Sequence, residues 1–265
     1  MDGLNENNYY ENHNYMSASL FKDFLKCPAC ALAKVKDEWT PEKSKALLLG
    51  SYVDEALTGT PESQRAFLQE HEKDIYKKTG GPYAEFVKAA EAVELVQRQP
   101  LMMKYLDGEH QRIMTGTIDG VPFKGKFDSY KEGEFIADLK YLSSLRSPNM
   151  FENVVSYWRY DIQGAVYREL VRQNTGKTLP FYLVIVTKES PAHVAVCEIS
   201  PENLDKALEV VKANAPKFWS VLNGEIPAER CEEYDCDYCT TTTILTEPID
   251  SDMLGWSKKM KEDLI

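Results

Sequence analysis

The sequence has little of what marks a secreted or membrane protein. Its 265 residues contain no run of 18 uncharged apolar residues, so no membrane-spanning helix and no membrane partner are expected. Residues 1–15 are rich in Asn, Glu and Tyr and lack the basic start and apolar stretch of a signal peptide. We therefore expect a cytoplasmic protein.

Positive charge is also scarce, since 31 Lys and Arg face 42 Asp and Glu, for a net charge of −11. A protein that coats nucleic acid without specificity is usually basic, so this class of function is disfavoured. An enzyme acting on DNA remains compatible, because it needs acidic residues at the reaction centre and only a local basic rim. The 43% hydrophobic content is enough for a globular core.

The hydrophobic pattern predicts a single domain over residues 17–240, after a polar lead-in at 1–16 and before a C-terminal tail at 241–265. Asp119-Gly120 is a hairpin signal, and it joins the first two strands of a predicted antiparallel three-stranded meander. We expect a mixed α/β fold, a central mixed sheet with helices on its faces. Its predicted central elements are strands at 111–118, 121–130 and 135–142, a helix at 157–173, a strand hairpin at 179–187 and 192–199, and a helix at 201–222.

Two charged residues stand on one face of an otherwise apolar strand. Side chains of a strand alternate between faces, so Asp138 and Lys140 share a face opposite the apolar Ala137 and Leu139. Burying such charges unpaired is costly. If residues 132–134 form a three-residue loop, Asp128 falls opposite Asp138, with Cβ atoms about 4.5–5.5 Å apart.

Facing carboxylates destabilise a sheet unless a cation lies between them. Hard oxygen ligands of this kind suit Mg²⁺, and Lys140 beside the ion could orient or deprotonate a water, or offset phosphate charge. The alternative is an ordinary salt bridge between Asp138 and Lys140 with Asp128 merely nearby. Three residues are a weak pattern, and the spacing alone does not decide between the two interpretations.

Four segments together carry a family resemblance. Asp128…Asp138-Leu139-Lys140 resembles the PD-(D/E)XK nuclease signature, with Phe127 in place of its proline. The segment 46–54 resembles the G-x-x-x-H helix motif of RecE and RecB-type nucleases, with Asp54 in the histidine position. The segment 160–167 resembles the Q-x-x-x-Y motif of the RecB-like group, and residues 17–28 resemble the opening of RecE-like phage proteins.

The chain thus resembles the RecE-like (exodeoxyribonuclease VIII type) phage and prophage exonucleases. The resemblance implies a restriction-endonuclease-like core and Mg²⁺- or Mn²⁺-dependent degradation of linear duplex DNA from its 5′ ends in phage-type recombination. It also implies a RecT-like single-strand annealing protein as partner and a ring-shaped homo-oligomer. The implied site comprises the metal ligands Asp54, Asp128, Asp138 and the Leu139 carbonyl, the catalytic Lys140, and the DNA-side residues Tyr160, Gln163 and Tyr167.

Other interpretations stay open. A catalytically inactive DNA-end or protein-binding module on a nuclease fold is the main one, with Asp54 marking the decay of the site. A nuclease acting on RNA or on flaps is a weaker one. Gln163 and Tyr167 are spaced i, i+4 on one helix face, which is also typical of the edge of a core.

Six cysteines are unevenly placed along the chain. Cys231-x4-Cys236-x2-Cys239 can form a three-ligand loop, and Cys27 could be the fourth ligand if the chain ends meet. The arrangement is similar to that of AddB-type nucleases, which implies an iron–sulfur cluster. A zinc site with four cysteines and unliganded thiols are the alternatives, and we expect Cys30 and Cys197 to be packing residues.

Overall fold

The computed structural model describes residues 3–5, 8–41, 45–231, 236–244, 246 and 248. The strands form two sheets, of order β1-β3-β2 and β4-β5-β6-β7. The mixed α+β architecture predicted from the sequence is confirmed. The strands are β1 (Met16–Ser17), β2 (Arg112–Ile118), β3 (Val121–Phe127), β4 (Ser129–Lys131), β5 (Phe135–Leu142), β6 (Phe181–Thr187) and β7 (Val194–Ile199).

Helices precede, connect and follow these strands. Seven of the described helices come before β2: α1 (Ala18–Lys26), α2 (Pro28–Val35), α3 (Lys45–Thr58), α4 (Pro61–Glu70), α5 (Glu72–Ile75), α6 (Ala84–Gln97) and α7 (Pro100–Leu106). Four come after β5: α8 (Val154–Tyr157), α9 (Tyr160–Thr175), α10 (Pro201–Leu222) and α11 (Asp237–Thr242). None of the helices within the described part of the chain has the length and apolar character needed to cross a membrane.

The predicted meander is present in chain order but is divided between the two sheets. β2 pairs antiparallel with β3, yet β3 ends at Phe127, and the next strand, β4, pairs with β5 in the second sheet. The expected continuous strand over 121–130 is therefore wrong. The chain changes sheets at Asp128, whose side chain accepts a hydrogen bond from the backbone of β5.

The second sheet separates two apolar cores. β5 runs parallel to β6, and β6 pairs antiparallel with β7, as the predicted hairpin requires. Ala137 and Leu139 of β5 belong to the core shared with α3 and α6. Ile136 belongs to the opposite core, with α9 and α10. The apolar face predicted from the alternation in β5 is confirmed.

Side-chain caps and one glycine fix the helices around this sheet. Ser17 caps α1 by accepting from the Leu20 N–H at 3.1 Å, and Ser200 caps α10, the role that serine commonly has at a helix start. Gly164 lies where α9 crosses β6, and a Cβ there would lie 2.5 Å from a ring carbon of Phe181. The absence of a side chain lets α9 approach the sheet closely.

The ends of the described chain depart from the expected lead-in and tail. Met16 is fully buried and pairs with Phe123 as β1, parallel to β3, so residues before 17 contribute to the first sheet. The region of the late cysteines, expected to be loop, contains α11. Most of the predicted tail at 241–265 lies outside the described residues.

Candidate active site

The acidic side chains singled out in the sequence meet where the chain passes between the sheets. Ser129 pairs with Ala137 and Lys131 with Phe135, which is the predicted register across residues 132–134. Continuing that register by one residue places Asp128 beside Asp138. The Asp128 carboxylate accepts from the Leu139 N–H at 2.9 Å, which holds it against β5.

These carboxylates repel each other in a poorly hydrated environment. Asp138 is 1% exposed. Burial raises the pKa of Asp128 well above its ordinary value, and the charges of Asp138 and Asp54 raise it further. Burial and the Asp138 charge also raise the pKa of Asp54. Burial and mutual repulsion thus destabilise the ionised carboxylates, and a bound cation would stabilise them.

Lys140 is the cation that pairs directly with Asp138. Its Nζ forms an ion pair with Asp138 Oδ2. Burial alone would lower the pKa of the Lys140 ammonium, but the carboxylates of Asp138 and Asp128 outweigh it and hold the pKa above its ordinary value. Lys140 is therefore charged here, which suits contact with a phosphate oxygen or orientation of a water.

The first turns of α9 hold Asp138 from the other side. Gln163 Nε2 donates to Asp138 Oδ1 at 2.7 Å and to the Tyr167 hydroxyl at 3.3 Å. The Tyr167 hydroxyl donates to the Lys126 carbonyl at 2.9 Å. Burial raises the pKa of Tyr167 well above its ordinary value, so it remains a neutral donor. The hydrogen bonds that this pair makes to the rest of the site are to Asp138 and to β3, and its role at the DNA stays a prediction.

Asp54 reaches the same region from α3. Its carboxylate accepts from Thr58 Oγ1 at 3.2 Å and from Gln111 Nε2 at 3.3 Å. Gln111 has a φ of 54°, an uncommon conformation for a residue other than glycine. Asp54 is thus oriented by neighbours on two elements.

The donor set fits a hard divalent cation. Carboxylate oxygens are the ligands that Mg²⁺ takes from proteins, usually one or two with several waters. Asp128 and Asp138 would supply the pair, and Asp54 and the Leu139 carbonyl stay predicted ligands. Binding of the cation would remove the repulsion between the buried carboxylates, and this would contribute to its affinity.

The match to known proteins spans this whole arrangement. The family model described as "PDDEXK-like domain of unknown function (DUF3799)" matches residues 17–242. The chain belongs to this family. The PD-(D/E)XK assignment made from the motifs is confirmed at family level, and the fold is the restriction-endonuclease-like one expected.

A solved structure extends the PDDEXK-like assignment to the full fold. A protein of Eubacterium rectale described as "Putative exonuclease" is 37% identical, with a TM-score of 0.86 over 96% of this chain and 99% of that chain. A second structure, described as SSO0001, is 14% identical with a TM-score of 0.42 over 90% of this chain and 89% of that chain. No curated protein matches the sequence.

The PDDEXK-like match also contains the four cysteines predicted to share a metal. Their Sγ atoms all lie within 4.8 Å of one another, and they are the one group of three or more metal-capable side chains this compact among the described residues. The Sγ atoms of Cys27 and Cys239 are 3.5 Å apart, and those of Cys231 and Cys236 3.6 Å. None forms a disulfide. The predicted meeting of early and late cysteines is observed.

Two of these thiols also begin helices. Cys27 Sγ accepts from the Cys30 N–H at the start of α2, and Cys236 Sγ accepts from the Cys239 N–H at the start of α11. Burial alone would raise the pKa of Cys236, but the backbone N–H of Cys239 and the neighbouring thiols lower it to about 7. A thiol that ionises near neutrality is a good metal ligand. Cys30 packs beside the group.

Several residues of the site were not identified from the sequence. Gly125 in β3 leaves room for Tyr167, because a Cβ there would lie 3.1 Å from the tyrosine ring; a glycine inside a strand does hint at such an approach. Tyr9 lies close enough for its pKa to respond to Asp128. Lys22 lies beside Tyr160. A lysine at this position of a short amphipathic helix is typical of a solvated face.

Proposed function

We propose that this PDDEXK-like protein is a Mg²⁺-dependent (or Mn²⁺-dependent) nuclease that hydrolyses DNA phosphodiester bonds as an exodeoxyribonuclease. The observation that carries the proposal is the pair of Asp128 and Asp138, pressed together at a sheet junction and flanked by the charged Lys140. A merely structural salt bridge would leave the Asp128 charge without compensation, whereas a divalent ion would compensate it.

Each protein group has a distinct task in this proposal. A divalent ion held by Asp128 and Asp138 would supply Lewis-acid stabilisation of the phosphate and of the leaving oxygen. Lys140 offers its ammonium to a phosphate oxygen or to the attacking water. Gln163 donates to Asp138, which leaves the other carboxylate oxygen turned towards Lys140.

The finer specificity is proposed from the RecE resemblance. Linear duplex DNA would be degraded from its 5′ ends, in phage-type recombination, with a RecT-like annealing protein and a ring-shaped homo-oligomer. The description of the Eubacterium rectale structure as "Putative exonuclease" supports an end-dependent activity.

A comparison of DNA topologies tests the function directly. Linear duplex labelled at its 5′ or its 3′ ends, and covalently closed circular duplex, are incubated with Mg²⁺ or with chelator. We expect early release of the 5′ label from linear DNA, no release with chelator and an intact circle. Cleavage of the circle would exclude an exonuclease, and early release of the 3′ label would exclude the proposed polarity.

The second candidate is a non-catalytic DNA-end or protein-binding module. It is favoured only by Asp54 in the position where related motifs carry histidine. Calorimetric titration with Mg²⁺ discriminates between the two, because an enzyme needs the ion at its acids. Absence of both Mg²⁺ binding and hydrolysis would favour the module.

We also propose that Cys27, Cys231, Cys236 and Cys239 bind a structural metal. Tetrahedral zinc with Zn–S bonds of about 2.3 Å holds its sulfurs about 3.8 Å apart, close to the observed 3.5 and 3.6 Å. An iron–sulfur cluster places its inorganic core between the thiolates, so the compact arrangement favours a single ion. Ultraviolet–visible spectra and metal analysis of anaerobically purified protein separate zinc, iron–sulfur and unliganded thiols.

A further inference from the structure

A second lysine lies at the active site and is used by none of the steps above. Lys22 is on α1, and its Nζ lies 5.5 Å from the centroid of the Tyr160 ring. Lys140 Nζ lies 5.1 Å from the same centroid. One aromatic ring of α9 therefore has two ammonium groups as neighbours, brought there by α1 and β5.

The two ammonium groups differ in their counter-ions. Lys140 pairs with Asp138. No carboxylate of the described residues comes within 4.0 Å of Lys22. The three acids whose charges reach it are engaged elsewhere, Asp138 with Lys140, Asp23 with Lys34 and Asp161 with Arg159.

Lys22 is therefore a partly buried cation with no ion-pair partner in the described chain. Its environment is costly for a charge: burial, followed by repulsion from Lys140, lowers its pKa to about 8. An anion reaching this position would remove that cost. The site faces a polyanion if the proposed function holds, so the missing partner is a phosphate.

We propose that Lys22 binds a phosphate of the DNA strand at the active site and positions it beside Lys140. The inference rests on the proposed function and adds to it a division of the site into two sides. The acids Asp54, Asp128 and Asp138 form the side that takes the metal, and Lys22, Tyr160 and Lys140 form the side that takes the phosphate. Lys22 contacts the backbone of DNA, so it contributes to affinity without selecting a sequence.

Three variants separate the charge of Lys22 from its packing. Lys22→Met keeps the length of the side chain and removes the charge, whereas Lys22→Arg keeps the charge. Lys26→Met is the matched control, because Lys26 lies one turn further along α1 and is exposed. Binding of a 5′-phosphorylated duplex oligonucleotide is measured with Ca²⁺ in place of Mg²⁺ across a salt series, and hydrolysis is measured with Mg²⁺.

We expect Lys22→Met to weaken DNA binding about tenfold to a hundredfold, as loss of a charge-assisted hydrogen bond does, and to raise KM. The plot of log affinity against log salt has a negative slope, and this slope should become less steep by about 0.9, the contribution of one phosphate contact. Lys22→Arg and Lys26→Met should bind within about threefold of the wild type. Mg²⁺ affinity should be unchanged in all three, and Tm should not decrease in any of them, because Lys22→Met removes a poorly compensated buried charge.

Two results would overturn the inference: an unchanged salt slope in Lys22→Met, or equal losses in Lys22→Met and Lys22→Arg, which would make packing the cause. Failure of the proposed function has a different signature. In that case the wild-type protein does not hydrolyse DNA, and every variant shares its inactivity. A wild type that hydrolyses DNA and a Lys22→Met that matches it would overturn only the role of Lys22.

Discussion

The acidic site and the cysteine site both gather side chains that suit a metal, but they do so from opposite starting points. Asp128 and Asp138 are ten positions apart and meet through the register of one β-hairpin. Cys27 and Cys239 are separated by 212 positions and meet through packing of the first helices against α11. The first site is a local consequence of strand pairing, and the second joins the two ends of the domain.

The two sites should therefore differ in what they contribute to folding. The acids repel each other when no cation is bound. The acidic site therefore lowers the stability of the metal-free folded protein. Three of the four cysteines are buried, and Cys27 and Cys236 cap helices, so a metal there would hold the early and late segments of the domain together. Substitutions should consequently reduce activity at the first site and stability at the second.

The largest expected effect on activity comes from Lys140→Ala. Loss of a group that orients a water or contacts phosphate should lower the hydrolysis of linear duplex about 10²- to 10⁴-fold, with circular dichroism and Tm showing a retained fold. The measurement is initial rate with Mg²⁺ in excess. Wild-type rates in this variant would refute the proposed active site.

The largest expected effect on stability comes from Cys239→Ser. Cys239 is fully buried, and losing one of four ligands should release the metal and destabilise the fold by about 3 kcal/mol, a Tm decrease of roughly 10 °C. Cys197→Ser is the control, because Cys197 is half-buried and outside the group. Equal Tm values for the two variants would argue for unliganded thiols.

The features that the sequence predicted correctly are mostly local, like the pairing that forms the acidic site. The β5 alternation and the register across residues 132–134 depend on neighbours in sequence, and both were predicted correctly. The break of the second strand at Asp128 was missed, because it depends on a hydrogen bond to Leu139 in another strand.

The missed parts of the site have a common physical origin. Lys22 and Tyr9 reach the active site from segments more than 100 positions before Asp128, and nothing local in their sequence marks them. Cys27 was placed with the late cysteines from residue type alone, because clustered thiols restrict the possibilities. Apart from the contacts implied by family motifs, such as that of Gln163 with Asp138, long-range contacts were predictable where the chemistry of the side chain is uncommon.

Asp128→Asn should separate stability from function at the acidic site. The amide oxygen can still accept from Leu139, while one of the repelling charges is removed. We expect the metal-free protein to become more stable by about 1–2 kcal/mol, together with loss of hydrolysis and of the Tm increase that Mg²⁺ produces in the wild type. Thermal melts with chelator and with Mg²⁺ test this, and a destabilised metal-free variant would contradict the repulsion described here.

The smallest expected effect is that of Asp54→Asn. The amide oxygen can keep the hydrogen bond from Thr58, and the charge of Asp54 raises the pKa of Asp128 less than the charge of Asp138 does. We expect Mg²⁺ affinity to fall about tenfold, with the maximal rate largely recovered at high Mg²⁺. Loss of activity that Mg²⁺ does not restore would place Asp54 among the essential ligands.

Lys124 gives the N-terminal segment a practical importance. Its side chain is 3% exposed, and its Nζ donates to the carbonyl oxygens of Tyr9 and Asn12. Shortening the chain to residue 17, where the family match begins, would strip both acceptors from an ammonium enclosed by protein. A protein trimmed in this way would also lack Tyr9, whose side chain lies near Asp128. Activity measured on it would therefore underestimate that of the full chain.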